Sequence, residues 1–205
     1  MWPLLVCSVL SLTVSIERLI FWWREKRKQD PERLESMLGR IESGHFERNS
    51  FGARSDTDVP LKSLDYVARI LVAGLAHRRQ GLHESIEIAA EEEMSRMKQG
   101  LNVLDTIITM APLLGILGTV LGIISSFDLL GNSGIEDPKA VTGGIAQALI
   151  TTAAGLTVAL VTLVPFNYFV AKVNGAAKKI NMIAARFEAA YRKGFDRGSY
   201  DHQRV

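Results

Sequence analysis

The side chains able to guide an ion or a partner lie in two runs that carry no charge at all, residues 106–127 and 140–171. In place of carboxylates or imidazoles, these runs hold hydroxyls, two amides and many small residues. Small residues let helix backbones approach closely, and hydroxyls offer hydrogen bonds without the burial of a charge, so such helices are built either to pack on something or to line something. At 100° per residue, Ala111, Gly115, Gly118, Thr119, Gly122 and Ser126 fall within about 100° of one another. Ala148, Thr151, Thr152, Gly155, Ala159 and Thr162 fall in an arc of about 100°. Each helix therefore has one small, hydroxylated side. Close packing of the Gly-x-x-x-Gly kind, which Gly118 and Gly122 satisfy, accounts for these stripes as readily as a pore does. Gln147, beside Thr151, is the strongest side-chain hydrogen bonder of either run and suits helix contact or water contact. Neither run contains Asp, Glu, His, Lys or Arg. A titrating relay group would have to come from another polypeptide.

These runs need long apolar helices to carry them. At a rise of 1.5 Å per residue the first covers roughly 33 Å, enough to cross a hydrocarbon core of about 30 Å. Residues 1–23 read as a third span, apolar to Ile16, then Glu17-Arg18, then Leu19-Ile20-Phe21-Trp22-Trp23. A cleavable leader would want positive charge before the apolar stretch and a small-residue cleavage site after it. The Trp pair suits an interfacial belt, and Arg24, Lys26, Arg27 and Lys28 mark that end as cytoplasmic. Glu17 and Arg18 read as a paired or snorkelling anchor rather than a relay. The segment 128–140 is a short acidic loop with Gly and Pro turn signals, and Lys172, Lys178, Lys179, Arg186, Arg192 and Lys193 return the far end of the third span to the cytoplasm. The expected topology places the N-terminus outside and the C-terminus inside.

Between the first and second spans, residues 24–102 are charged and water-compatible. Three amphipathic helices are expected there, marked by Leu34, Leu38 and Ile41, by Leu64, Val67, Ile70, Leu71 and Leu75, and by Ile86, Ile88, Ala89, Met94 and Met97. Turns are expected at 49–60 and around Gly81. The last of these helices has only Gly100 to separate it from the second span, 103–127, so one continuous helix is the simple reading. Glu91-Glu92-Glu93 reads as its solvated face. After the third span, 141–171, Val173, Ala177, Ile180, Ala184, Phe187 and Tyr191 keep helical spacing, which carries that helix onward in the segment 172–205, with a loose tail from Gly194. The fold class is all-α: a three-span membrane protein whose long helices extend into a cytoplasmic helical domain.

Composition narrows the function classes. The averages, 47% hydrophobic and 22% charged, combine an apolar half with a highly charged one. A net charge of +2 without an aromatic-interleaved basic stripe gives no case for nucleic acid. Cys7 is the single cysteine and reads as a small packing residue. His45, His77, His83 and His202 lie in charged or terminal regions, where solvated surface is the ordinary reading. No nucleophile–base group, metal-ligand spacing or phosphate loop appears, so neither an enzyme nor a cofactor is expected.

Three blocks resemble the MotA/TolQ/ExbB proton channel family, in its three-span ExbB and TolQ branch. They are Trp2-Pro3-Leu4-Leu5 with Ile16-Glu17-Arg18-Leu19, then 111–123 (APLLGILGTVLGI) with Phe127, and 145–156 (IAQALITTAAGL) with Pro165 and Asn167-Tyr168. The resemblance implies a bacterial inner-membrane homo-oligomeric ring, usually a pentamer. Its second and third helices enclose the single spans of two ExbD- or TolR-type partners, which supply a transmembrane aspartate. It also implies a TonB/TolA-type protein downstream, and a proton motive force that energises outer-membrane transport. The family's threonines on the second and third spans match Thr119 and Thr152, both facing the partner aspartate. Several ExbB proteins have a glutamate ahead of the third-span threonine; this chain has Gln147 there, so a proton role for that carboxylate does not carry over. A TolQ-type envelope-integrity motor shares the same motifs, and a non-conducting membrane scaffold is the reading from a different class.

Overall fold

The computed structural model describes residues 2–28, 35, 39, 65–76, 81–133 and 138–201. Among them every regular element is a helix: α1 (Trp2–Lys28), α2 (Tyr66–Ala76), α3 (Leu82–Lys98), α4 (Leu101–Ser133) and α5 (Pro138–Asp201). Three of the five, α1, α4 and α5, are long and apolar enough to cross a membrane. The chain divides into two compact units, an apolar one of Met1–Ile20 and Lys98–Ala171 and a charged one of Phe21–Met97 and Lys172–Val205.

In the apolar unit the usual relation of inside and outside is inverted. Leu113, Ile116, Leu117, Val120, Leu121 and Ile124 of α4 and Leu149, Ile150, Leu156, Leu160 and Val164 of α5 are exposed, as befits surfaces that lipid or another subunit covers. The interior combines small and hydroxylated residues with an apolar cluster, Leu4, Ile107, Ala111 and Ala159, against which Cys7 packs, and Leu101, Leu104 and Phe169 are buried as well. Helix α1 turns Leu4, Ser11 and Arg18 inward at seven-residue spacing, while Leu5, Val9, Leu12, Ile16 and Leu19 face out. Arg18 is buried and bonds the exposed Glu17 carboxylate through Nε at 2.6 Å, so these two residues are paired.

Two connections differ from the sequence expectation. Helix α3 does not run on into α4: Gly100 adopts φ 79°, a left-handed conformation that ends α3 at Lys98 and allows α4 to restart at Leu101. The segment read as an acidic loop is largely helical, since α4 continues through Ser133 and α5 begins at Pro138, where the missing N–H suits a first helical turn. Pro112 and Pro165 sit inside α4 and α5 without ending either helix. At 64 residues α5 is about 96 Å long. Its backbone stays helical through Asp201, past Gly194, where the sequence suggested a loose tail.

The charged unit is organised around α2, whose residues are buried on nearly every side: Tyr66, Val67, Ala68, Ile70 and Leu71. Gly74 lies against the Ile86 side chain, so α2 and α3 approach closely. Helix α5 contributes Val173, Ala176, Ile180, Ile183, Phe187 and Ala190, an alternating three- and four-residue spacing that gives a coiled-coil type of seam. Gly81, with φ 121°, makes the turn before α3, and its carbonyl accepts from both the N–H and the hydroxyl of Ser85. The residues Leu34, Leu38, Ile41 and Leu64, the turn at 49–60 and the side chain of Leu75 lie outside the described residues.

A buried ion network ties this unit together. The Arg69 guanidinium of α2 donates to Glu93 of α3 from Nε at 3.0 Å and from Nη2 at 2.8 Å, and to Glu25 of α1 from Nη2 at 3.0 Å. Burial by itself would lower the Arg69 pKa, but the Glu93 bonds and the Glu25 charge outweigh it and raise it. Asp65 meets Lys179 of α5 at 3.6 Å, yet burial still pushes its carboxyl above the usual range. The Tyr66 phenol is pushed up to about 12 by burial and then by the charges of Asp65 and Glu25. Glu91 and Glu92 are exposed, as a solvated face requires, but Glu93 is not. It turns inward because Arg69 is there to receive it. Ile88 departs in the opposite sense: it follows the helical pattern of the core positions but is 56% exposed.

Candidate functional site: the α4–α5 seam and its hydroxyl pair

The two small-residue stripes of the apolar unit turn toward each other. A Cβ on Gly155 would come within 3.0 Å of the Gly115 Cα, and one on Gly115 within 3.1 Å of the Thr152 Cα. Further along, Gly118 lies against the Thr151 side chain, Gly122 against Ala148, whose Cβ would be 2.7 Å from an added Cβ, and Gly144 against Ser126. The contacts advance on α4 as they retreat on α5, so the helices are antiparallel along this seam. Backbone meets backbone where glycine permits it.

Most of the hydroxyls are consumed by the packing. Ser126 is buried and donates to the Gly122 carbonyl at 2.8 Å; Thr151 is buried and donates to the Gln147 carbonyl at 3.0 Å. These bonds to the preceding turn satisfy a hydroxyl in an apolar setting without any external partner. Thr162 reaches a third helix, α1. It is 1% exposed, donates to the Val158 carbonyl at 2.7 Å and meets the Ser11 hydroxyl of α1 at 2.6 Å. Ala159 packs with Ile107 and Ala111 of α4 and with Leu4 of α1 in one apolar cluster. Ala111 is fully buried beside Gly155, and the Gln147 side chain faces out of the seam.

Thr119 and Thr152 are different. Both are half-buried at the edge of the seam, with their Oγ1 atoms 3.0 Å apart. The Thr152 hydroxyl donates across the helix pair to the Gly115 carbonyl at 3.0 Å. The Thr119 hydroxyl reaches the Ile116 carbonyl at 2.7 Å and the Gly115 carbonyl at 3.3 Å. Two hydroxyls have two protons between them, and carbonyls of α4 are in reach of both. When each proton points at a carbonyl, the lone pairs of both oxygens remain for an outside donor. When one hydroxyl turns, it can instead donate outward. The pair can thus accept from a protonated acid or donate to an ionised one by rotating about a single bond.

Ser11 was not singled out by the sequence, because an isolated serine in an apolar span carries no pattern by itself. Its signal was the seven-residue register of Leu4, Ser11, Arg18 and Glu25, all of which are buried. Among the described residues, no group of three or more His, Cys, Asp or Glu side chains could hold a metal ion.

This is a multi-pass helical membrane protein with a tightly packed second and third span and a paired hydroxyl at their edge. The chain belongs to the MotA/TolQ/ExbB proton channel family, which it matches over residues 62–182. Over 200 residues it is 34% identical to a Synechocystis protein called ExbB-like 1, covering 94% of this chain and 75% of that protein. A second Synechocystis protein, ExbB-like 3, is 31% identical over 95% of this chain and 91% of its own length. The biopolymer transport protein ExbB of Aquifex aeolicus is 39% identical across 44% of this chain and 60% of its own. The family is one of proton channels and transport subunits, not of enzymes.

Proposed function

We propose that this chain is the ring-forming subunit of an inner-membrane energiser of the ExbB type, with Thr119 and Thr152 facing the ion path. In this reading α1, α4 and α5 supply three spans, over residues 1–23, 103–127 and 141–171, with the N-terminus periplasmic and the C-terminus cytoplasmic. The charged unit is cytoplasmic, and the basic last turn of α1, Lys26, Arg27 and Lys28, supports that direction. Several copies, five by family resemblance, surround the single spans of two ExbD/TolR-type partner subunits, each of which carries an aspartate.

The observation that carries the reading is the edge position of the Thr119–Thr152 pair, the hydroxyls of the seam that packing leaves half-open. An aspartate in the hydrocarbon zone is disfavoured when ionised, so it stays neutral against apolar wall and ionises where hydroxyls or water meet it. A wall that alternates between Leu113, Ile116 and Val120 and the threonine pair would therefore present the partner's acid with two preferences. Proton entry down the membrane potential, worth about 2.3 kcal/mol per charge per 100 mV, drives the partner from one to the other. The force passes to a TonB/TolA-type protein and energises outer-membrane transport; a TolQ-type envelope motor is the same device with a different client. The remaining stripe residues, Gly115, Gly118, Gly122, Ser126, Thr151 and Gly155, favour the packing role.

Proton flux into liposomes holding this chain and its single-span partner tests the proposal. Thr152→Val should preserve the co-purified complex and abolish flux. Flux at the wild-type rate in that variant removes Thr152 from the ion path.

A further inference from the structure

Two outward faces of the charged unit carry matching patterns of opposite sign. On α3, Glu84, Ile88 and Glu92 follow one another at four-residue spacing, with Glu87 and Glu91 beside them, and all five are exposed. On α5, Lys178, Met182 and Arg186 follow at the same spacing and are also exposed. Ile88 is 56% exposed and Met182 is 53% exposed, each an apolar side chain flanked by like charges. Residues four apart share a helix face, so each triplet is one continuous line. Among the described residues, none of Glu84, Glu92, Lys178 and Arg186 takes part in an ion pair.

The two lines also lie at the same level. His83 at the start of α3 meets Glu188 of α5, with Nδ1 to Oε1 at 2.7 Å. Helices α2 and α3 run antiparallel through the Arg69–Glu93 and Gly74–Ile86 contacts, and Asp65, at the other end of that hairpin, meets Lys179, so α3 and α5 run in opposite directions. Each residue forward on α3 thus corresponds to one backward on α5. From the His83–Glu188 contact, Glu84, Ile88 and Glu92 are level with positions 187, 183 and 179, one residue from Arg186, Met182 and Lys178. Within one chain both lines point to solvent. Copies related by an axis along the helices sit at equal height, so the α3 line of one copy meets the α5 line of the next with acid on base and apolar on apolar.

We propose that these two lines form a head-to-tail interface between adjacent copies of this chain, pairing Glu84 with Arg186, Ile88 with Met182 and Glu92 with Lys178. The inference rests on the ring assembly proposed above. A single acidic face would suit many partners; two faces of equal spacing and opposite charge on one chain fit a second copy of it. Because the donor face and the acceptor face differ, the contact propagates around a ring rather than closing on itself as a two-fold dimer.

The test uses the full chain purified with its membrane complex in a Cys7→Ser background. Ile88→Cys and Met182→Cys are placed in separate, differently tagged copies and co-expressed, so that any disulfide joins two chains. Oxidation should give the mixed dimer from the co-expressed pair and none from either variant alone. Glu92→Lys should reduce that yield several-fold, and Lys178→Glu in the opposing copy should restore it. An oligomer by native mass that gives no mixed dimer overturns the interface and leaves the ring standing. A monomer by native mass overturns both.

Discussion

The hydroxyl oxygens of Thr119 and Thr152 lie 3.0 Å apart across the α4–α5 seam, and only Thr152 is positioned to donate solely to the opposite helix, at the Gly115 carbonyl. Thr119 has an acceptor within its own helix at 2.7 Å. The two should therefore contribute unequally. Thr152→Val is expected to lower stability in detergent by about 1 kcal/mol and Thr119→Val by less, with a coupling of about 0.6 kcal/mol in the double variant. Thermal unfolding of the four proteins measures this, and strict additivity would mean that the hydroxyls do not interact.

Glycine at the seam is a requirement of distance. A methyl group on Gly155 would meet the Ala111 carbonyl and the Gly115 backbone, neither of which can move aside as a side chain can. Gly143, in the same helix, has nothing within 4 Å of an added Cβ. Gly155→Ala should reduce the thermal midpoint sharply, while Gly143→Ala should leave it unchanged or raise stability by about 0.5–1 kcal/mol through helix propensity. Equal effects from the two substitutions would contradict the close approach of α4 and α5.

Arg69 holds two buried carboxylates from two other helices. Arg69→Met keeps the length of the side chain but leaves Glu25 and Glu93, among the described residues, with Lys28 at 3.9 Å and Arg96 at 3.4 Å, and should destabilise the charged unit by about 3 kcal/mol. Arg69→Lys should recover only part of that loss, since an ammonium cannot make the two-pronged contact with Glu93. Protease resistance of the charged unit, compared across the three proteins, reports the order wild type, Lys, Met.

The His83–Glu188 pair gives a pH dependence. The Glu188 hydrogen bond and charge raise the His83 pKa above the ordinary 6.5, so the contact's stabilising effect is fully present below pH 6.5 and fades as pH rises through the higher folded value. The imidazole resonances of His83 should titrate above 6.5 in the wild type and at lower pH in Glu188→Gln, where the nearby Glu87 charge remains. A midpoint indifferent to Glu188→Gln would mean that the contact is absent in solution.

Much of this architecture is local and was therefore legible from residue order. Uninterrupted absence of charge over 106–127 and 140–171 makes helices that water cannot solvate. The spacing of Val173, Ile180 and Phe187 carries α5 far beyond its apolar run, and Gly81 marks a turn that only a positive φ could make. The stripes of Thr119 and Thr152 were visible for the same reason, because a repeat of 3.6 residues assigns each side chain its angle around the axis. That angle does not say what stands opposite. Only the tertiary arrangement directed Thr162 to Ser11 of α1, left Thr119 and Thr152 at the rim, drew Glu93 inward to Arg69 and pushed Ile88 out. Each of these depends on a residue from a distant part of the chain, and a polar group's place inside or outside is decided by whether a partner is waiting there.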